Sequence, residues 1–261
     1  MAYENDLDSD MLSSKPRRSR KVTRKVKESL GVEPTPKLTE VQRIESRINR
    51  FIPTETQEEF ISKIENNVVT FNSSPAGTGK TSAALFYFCK KYLQDHSLEI
   101  VVTRTPAEIG KDRIGFLPND VNSKCAVHYA STRKIIEGFI GKEKFVADLD
   151  KRIHFTIPNY LLGATMDNSL WLIDEAQLMQ PIIMKLLLER IGHNTKVVIS
   201  GSASQIYTGD TGRGGMQDAM KRFFNKENKP LYPNFAYHHF SVDDVMRSEV
   251  VKDVLRAYGD V

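Results

Sequence analysis

The sequence predicts an α/β fold, a mainly parallel sheet sandwiched by helices. Three observations predict it. Short β-branched runs alternate with helix-like segments along most of the chain. One run, Val68–Asn72, feeds a glycine-rich turn that opens directly into a helical segment. A later run, Leu170–Ile173, ends on two adjacent carboxylates. Ligands in such sheets bind at the carboxyl ends of the strands, where both features fall.

The elements follow in order. The chain starts acidic (Glu4, Asp6, Asp8, Asp10) and turns basic from Lys15 to Lys27, before Pro34 and Pro36. Large apolar groups are few there, so residues 1–37 are expected to form a disordered basic tail and residues 38–261 a single domain. The basic block suits non-specific phosphate contact; a solvated tail is the competing reading. Thr54–Ile64 reads as a capped amphipathic helix, with Thr54 or Thr56 as cap and acids in its first turn. Strands are expected at Val68–Asn72, Glu99–Thr103, Ile153–Ile157, Leu170–Ile173 and Lys196–Ser200. Helices are expected at Thr81–Gln94, Ser131–Phe139, Pro181–Ile191, Gly215–Phe224 and Ser248–Tyr258.

Composition narrows the class. The 261 residues carry 37 basic and 33 acidic side chains, and 40% are hydrophobic, enough for a sizeable core. Cys89 and Cys125 are the only cysteines and suggest no disulfide framework. No apolar run reaches the roughly 18–20 residues that span a bilayer, and the start has no signal-peptide core. A cytoplasmic protein without membrane contact is expected.

Residues Ser74 to Thr81 carry the chemistry. Glycines let backbone N–H groups converge on phosphates, Lys80 offers a mobile cation, and Thr81 offers a hydroxyl to Mg²⁺. The nucleotide-binding set is Pro75, Ala76, Gly77, Thr78, Gly79, Lys80, Thr81 and Ser82. The full pattern wants glycine at position 74; Ser74 stands there, so the turn is expected to close with some local strain. The partner motif is Asp174-Glu175-Ala176-Gln177. Asp174 ends a strand where it can hold the Mg²⁺ shell, and Glu175 is placed to polarise a water toward the γ-phosphate. Two adjacent carboxylates repel, and Mg²⁺ supplies the compensation. Gln205, ending the loop after Lys196–Ser200, is positioned to sense γ-phosphate; an ordinary polar loop is the alternative. Arg104 follows another strand. It suits nucleic-acid phosphate or support of the site, with a buried structural arginine as the competing role.

With these residues in hand, the chain resembles the PhoH-like ATPases, including the short versions carried by bacteriophages. The matching pieces are Pro75–Thr81, Thr103–Pro106, Gly115–Asp120, Ile173–Gln177 and the Gly201–Gln205 loop. The resemblance implies a RecA-like P-loop NTPase core akin to the first motor domain of superfamily 1 helicases. It implies ATP and Mg²⁺ as cofactors, ATP hydrolysis, and single-stranded RNA or DNA as partner. It makes Gln57 the adenine reader and Arg247 an arginine finger, within a homo-oligomer or ring. Two departures weaken the helicase part. Ser202 replaces a usual aspartate, and Tyr160–Thr165 lacks two common arginines.

Other signals are discounted. His238 and His239 are adjacent on an expected strand and face opposite sides, which makes a structural role. Trp171, Phe86, Tyr87 and Phe88 read as core. An ATP-dependent switch acting on a protein partner is the runner-up function. A small-molecule kinase lacks an evident arginine-bearing lid.

Overall fold

The computed structural model describes residues 39–104, 121–161, 163–202 and 214–259, with backbone alone for 121–127. The expected tail, the Gly115–Asp120 motif and Gln205 lie outside them.

Among the described residues, six strands form one sheet. They are β1 (Val69–Ser73), β2 (Glu99–Arg104), β3 (Ile153–Thr156), β4 (Ser169–Asp174), β5 (Lys196–Gly201) and β6 (Phe235–His238). Their order is β3-β2-β4-β5-β1-β6, and every pairing is parallel. The fold is therefore the predicted α/β class, a RecA-like arrangement. Only β5 separates β1 from β4, so the turn leaving β1 and the acids ending β4 meet at one rim.

The described helices are α1 (Glu40–Ile48), α2 (Glu55–Asn66), α3 (Lys80–Gln94), α4 (Val121–Ile140), α5 (Lys142–Asp148), α6 (Pro181–Leu188), α7 (Gly215–Phe223) and α8 (Glu249–Ala257). Successive strand residues point to opposite faces, so each strand feeds two cores. On β4, Leu170 and Leu172 join Phe60, Phe88 and Ile136 beneath α2, α3 and α4. Trp171 and Ile173 join Met184 and Met216 beneath α6 and α7 on the other face. Trp171 is fully buried, and its indole N–H donates to Thr103 Oγ1 at 2.8 Å. Tyr87 and Phe88 are core, and Phe86 packs against Phe51 and Phe139.

Several boundaries differ from expectation for local reasons. Helix α6 stops at Leu188 because Ile191 leaves to bridge Met166. Helix α7 stops at Phe223 because Phe224 bridges Pro230. Helix α4 starts ten residues before the expected Ser131, through a stretch with no clear apolar period. Helix α1 was not foreseen, since Ile44 and Ile48 are its only buried residues. His238 ends β6, buried, while His239 sits just past the strand with its Nδ1 on the Ser73 carbonyl. No described helix is long and apolar enough to cross a membrane.

Candidate functional site

The cradle is built by backbone conformation. Strand β1 hands over to a loop that caps α3 with Gly79. Gly77 and Gly79 have φ of +88° and +80°, the left-handed region that glycine enters without steric cost. They also make room. A Cβ on Gly77 would lie 2.9 Å from Arg247 Cδ, and one on Gly79 would lie 2.6 Å from Gln57 Nε2.

Ser74 corrects the expectation of strain. Its φ is not positive. Its buried hydroxyl donates to Asn72 Oδ1 at 2.6 Å and accepts the Phe240 N–H at 2.8 Å, tying the exits of β1 and β6 together. A glycine there would lose both bonds.

Thr78 Oγ1 donates to the Pro75 carbonyl at 3.3 Å, bracing the loop around Ala76. Lys80 Nζ folds back and donates to the carbonyls of Ser74 (3.2 Å) and Pro75 (3.0 Å). Burial lowers its pKa, partly countered by Asp174 and Glu175. Thr81 and Ser82 line the same cavity as Lys80, Asp174, Glu175 and Arg247, with a volume of about 360 Å³.

The acid side is held under tension. Asp174 is buried, and that burial, with Glu175 beside it, pushes its carboxyl up to about 6 against the pull of Arg104 and Lys80. Glu175 has φ 51° and ψ 40°, a left-handed conformation costly for a non-glycine residue and common at working sites. Gln177 secures it. Its Nε2 donates to Glu175 Oε2 at 2.7 Å, while its Oε1 accepts the Ser202 N–H at 3.2 Å. A Cβ on Gly201 would meet Gln177 Oε1 at 2.5 Å, so that glycine is what lets the bridge close. Gln177 stands in the Asp174–Gln177 motif with no role of its own expected from sequence. Its place two residues after Glu175, beside a small-residue loop, was the available signal.

Arg104 is turned into the site. It donates to Glu175 Oε1 at 3.2 Å and to the His128 carbonyl at 3.1 Å, with Nη1 3.8 Å from Asp174 Oδ2. Its guanidinium therefore balances the acid pair, and only 19% of the side chain is exposed.

A strap from the C-terminal side closes the opposite flank. Met246 N–H donates to the Gly77 carbonyl at 3.0 Å, and Thr56 Oγ1 donates to Asp244 Oδ1 at 2.7 Å. The strap sets Arg247 over Gly77 of its own chain. Gln57 is buried beneath it. Its Oε1 accepts the Thr54 N–H at 3.2 Å, and its Nε2 faces the Thr78 carbonyl at 3.3 Å and Met246 Sδ at 3.4 Å.

Hard oxygen donors beside a triphosphate cradle fit Mg²⁺. Thr81 and Asp174 would hold it. Mg²⁺ keeps several waters and phosphate oxygens as ligands, so one carboxylate and one hydroxyl from the protein suit it. A larger groove of about 690 Å³ lies between α6 and α7, lined by apolar side chains such as Met184, Leu188 and Phe223 and by Lys185, Glu189, Asp218 and Arg222, and it shares no residue with the cradle.

The model of the PhoH-like protein family matches residues 52–259. The chain belongs to that family. A PhoH-like protein of Synechocystis is 30% identical over 77% of this chain and 60% of its own length. One from Bacillus subtilis is 28% identical over 79% and 63%, and Protein PhoH of Escherichia coli is 27% identical over 78% and 57%. The chain thus spans about three-fifths of these PhoH-like relatives. The Pif1 helicase of Candida albicans overlaps 79% of this chain and 44% of its own, at 13% identity and a TM-score of 0.39. Family membership and the Gly77–Thr81 cradle together make the chain a P-loop protein.

Proposed function

We propose that the protein hydrolyses ATP with Mg²⁺ and couples turnover to single-stranded RNA or DNA. One observation carries the hydrolytic part: the acid pair and Lys80 line a single cavity, with the Glu175 carboxylate fixed by the Gln177 amide.

The backbone N–H groups from Gly77 to Thr81 receive the β- and γ-phosphates. Lys80 exchanges its two carbonyl partners for phosphate oxygens, so a desolvated cation is already in place. Thr81 and Asp174 would hold Mg²⁺, which would offset the negative charge of the phosphates. Glu175 accepts a proton from the attacking water. Gln177 fixes the carboxylate and links it to the Ser202 amide, and so to the loop that carries Gln205. Gln205 senses the γ-phosphate from that loop. Arg247 supplies a second cation over Gly77, an arginine finger acting within its own subunit.

The nucleic-acid part rests on the basic run Lys15–Lys27 and on the family resemblance. Its test is ATP turnover with and without single-stranded RNA and DNA across a salt series. Stimulation that falls steeply with salt supports phosphate contacts. Turnover indifferent to both polymers at low salt favours the switch acting on a protein partner.

A further inference from the structure

Strand register lines up one polar row across the sheet. Arg104 pairs with Asp174, Ser200 with Asn72, and Asn72 with His238. One step past the Ile173–Ile199 pair, Asp174 lies beside Ser200. Alternation puts the row on the face packed under α2 and α3, because Leu172 and Val198, two residues earlier, belong to that core. The next row down is apolar except for Thr70, with Val102, Leu172, Val198 and Ala236.

Asp174, Ser200, Asn72 and His238 are all buried. Ser200 Oγ, Asn72 Nδ2 and His238 Nε2 have no hydrogen-bond partner among the described residues. An unpartnered buried polar atom is costly, and an apolar side chain of similar size would pack without that penalty. Three of them in one row beside the metal acid break a packing rule in the place where function is the usual reason.

The two ends of the row fix a direction. Lys63 Nζ lies 3.4 Å from His238 Nδ1. An ammonium only donates, so Nδ1 accepts and the proton of the neutral ring sits on Nε2. Burial beside Lys63 keeps the ring neutral. At the far end an ionised carboxylate only accepts. Between them, Asn72 Oδ1 accepts the Ser74 hydroxyl and keeps a second lone pair, while both protons of Nδ2 are free to donate. Neighbouring strands run about 4.8 Å apart, which these side chains can bridge.

We propose that His238, Asn72 and Ser200 are positioning residues for the metal acid and close one chain when Mg²⁺ is held: His238 Nε2–H to Asn72 Oδ1, Asn72 Nδ2–H to Ser200 Oγ, and Ser200 Oγ–H to the Asp174 carboxylate. This rests on the hydrolytic reading above and deepens it. Each unpartnered atom gains a partner, and no donor meets a donor. The Ser200 hydroxyl then fixes the Asp174 carboxylate from behind and leaves its other lone pairs to the metal shell. Asn72 also carries Ser74, whose carbonyl holds Lys80 Nζ, so one amide serves both sides of the cavity.

The experiment measures binding of Mn²⁺, a paramagnetic substitute for Mg²⁺, to the ADP-saturated protein by electron paramagnetic resonance, with ADP binding in EDTA alongside. The variants are Ser200→Ala, His238→Phe and the two combined. The first deletes an unpartnered hydroxyl and the second keeps a ring against Phe60, so both fold. Ser200→Ala should weaken Mn²⁺ binding at least about tenfold and leave ADP binding in EDTA within about twofold of wild type. His238→Phe should weaken Mn²⁺ binding about threefold alone and add nothing to Ser200→Ala, since a broken chain has nothing to transmit. Wild-type Mn²⁺ affinity in Ser200→Ala overturns the chain, as does an equal loss of ADP binding in EDTA or an equal effect of His238→Phe in both backgrounds. Failure of the wild-type ADP complex to bind Mn²⁺ removes the hydrolytic reading itself.

Discussion

Asp174 shows how much chemistry one buried carboxylate can report. Its usual value is 3.8, and in the fold it is raised to about 6. The folded state therefore holds its proton more tightly than the unfolded chain. The stabilisation is full below about pH 4 and is lost as pH rises through about 6, where the buried carboxylate ionises. Asp174→Asn removes that cost. Without nucleotide or Mg²⁺, the variant should melt several degrees above wild type at pH 8, and the gap should close below about pH 4. A gap independent of pH would remove the assignment. His238 has the opposite sign. Burial and Lys63 lower it to about 4, so its neutral form stabilises the fold above about pH 6.5 and that benefit fades in acid. At this scale the placing of Lys80, Thr81, Asp174 and Glu175 around one cavity was legible, because each position is set relative to a strand end. Ser74 was legible as a departure, and its hydroxyl bonds were not, since they depend on Phe240, 166 residues away in sequence. Gln177 was hidden for the same reason: its second partner is the Ser202 amide.

Elements were read best where pattern and capping agree. Helix α2 has a full capping box: the Thr54 side chain accepts the Gln57 N–H, and the Gln57 side chain accepts the Thr54 N–H. Phe60 and Ile64, four apart, are buried against the core. Thr54→Ala should cost about 1 kcal/mol in a denaturant melt. No measurable loss would show that the cap is idle. Five of the six described strands were found within a residue or so, because strands of a parallel sheet buried on both faces write continuous apolar runs into the sequence; the short edge strand β6 had no predicted bounds. The helices α1 and α5 escaped because one buries two residues and the other is seven residues long. The strap from Ser241 to Arg247 had no signature either. Its shape comes from contacts with Thr56 and Gly77, both far away in the chain.

At the scale of the molecule, strand order does the positioning. Placing β5 between β1 and β4 sets the cradle and the acid pair a strand apart, and the two cores fix the sheet from both sides. Alternating strands and helices were enough to predict the class, but the order across the sheet is a tertiary outcome. The resemblance suggested an arginine finger that completes a neighbour's site. Arg247 lies over Gly77 of its own chain and lines the same cavity as Lys80, Asp174 and Glu175.

The central claim is that Glu175 activates water opposite a triphosphate held by Lys80. The most direct measurement pairs ATP binding with single-turnover hydrolysis in Glu175→Gln. The glutamine keeps the shape of the side chain and removes the base, so ATP should bind within a few-fold of wild type while hydrolysis falls by about 10²-fold or more. Hydrolysis at the wild-type rate in that variant would contradict the account.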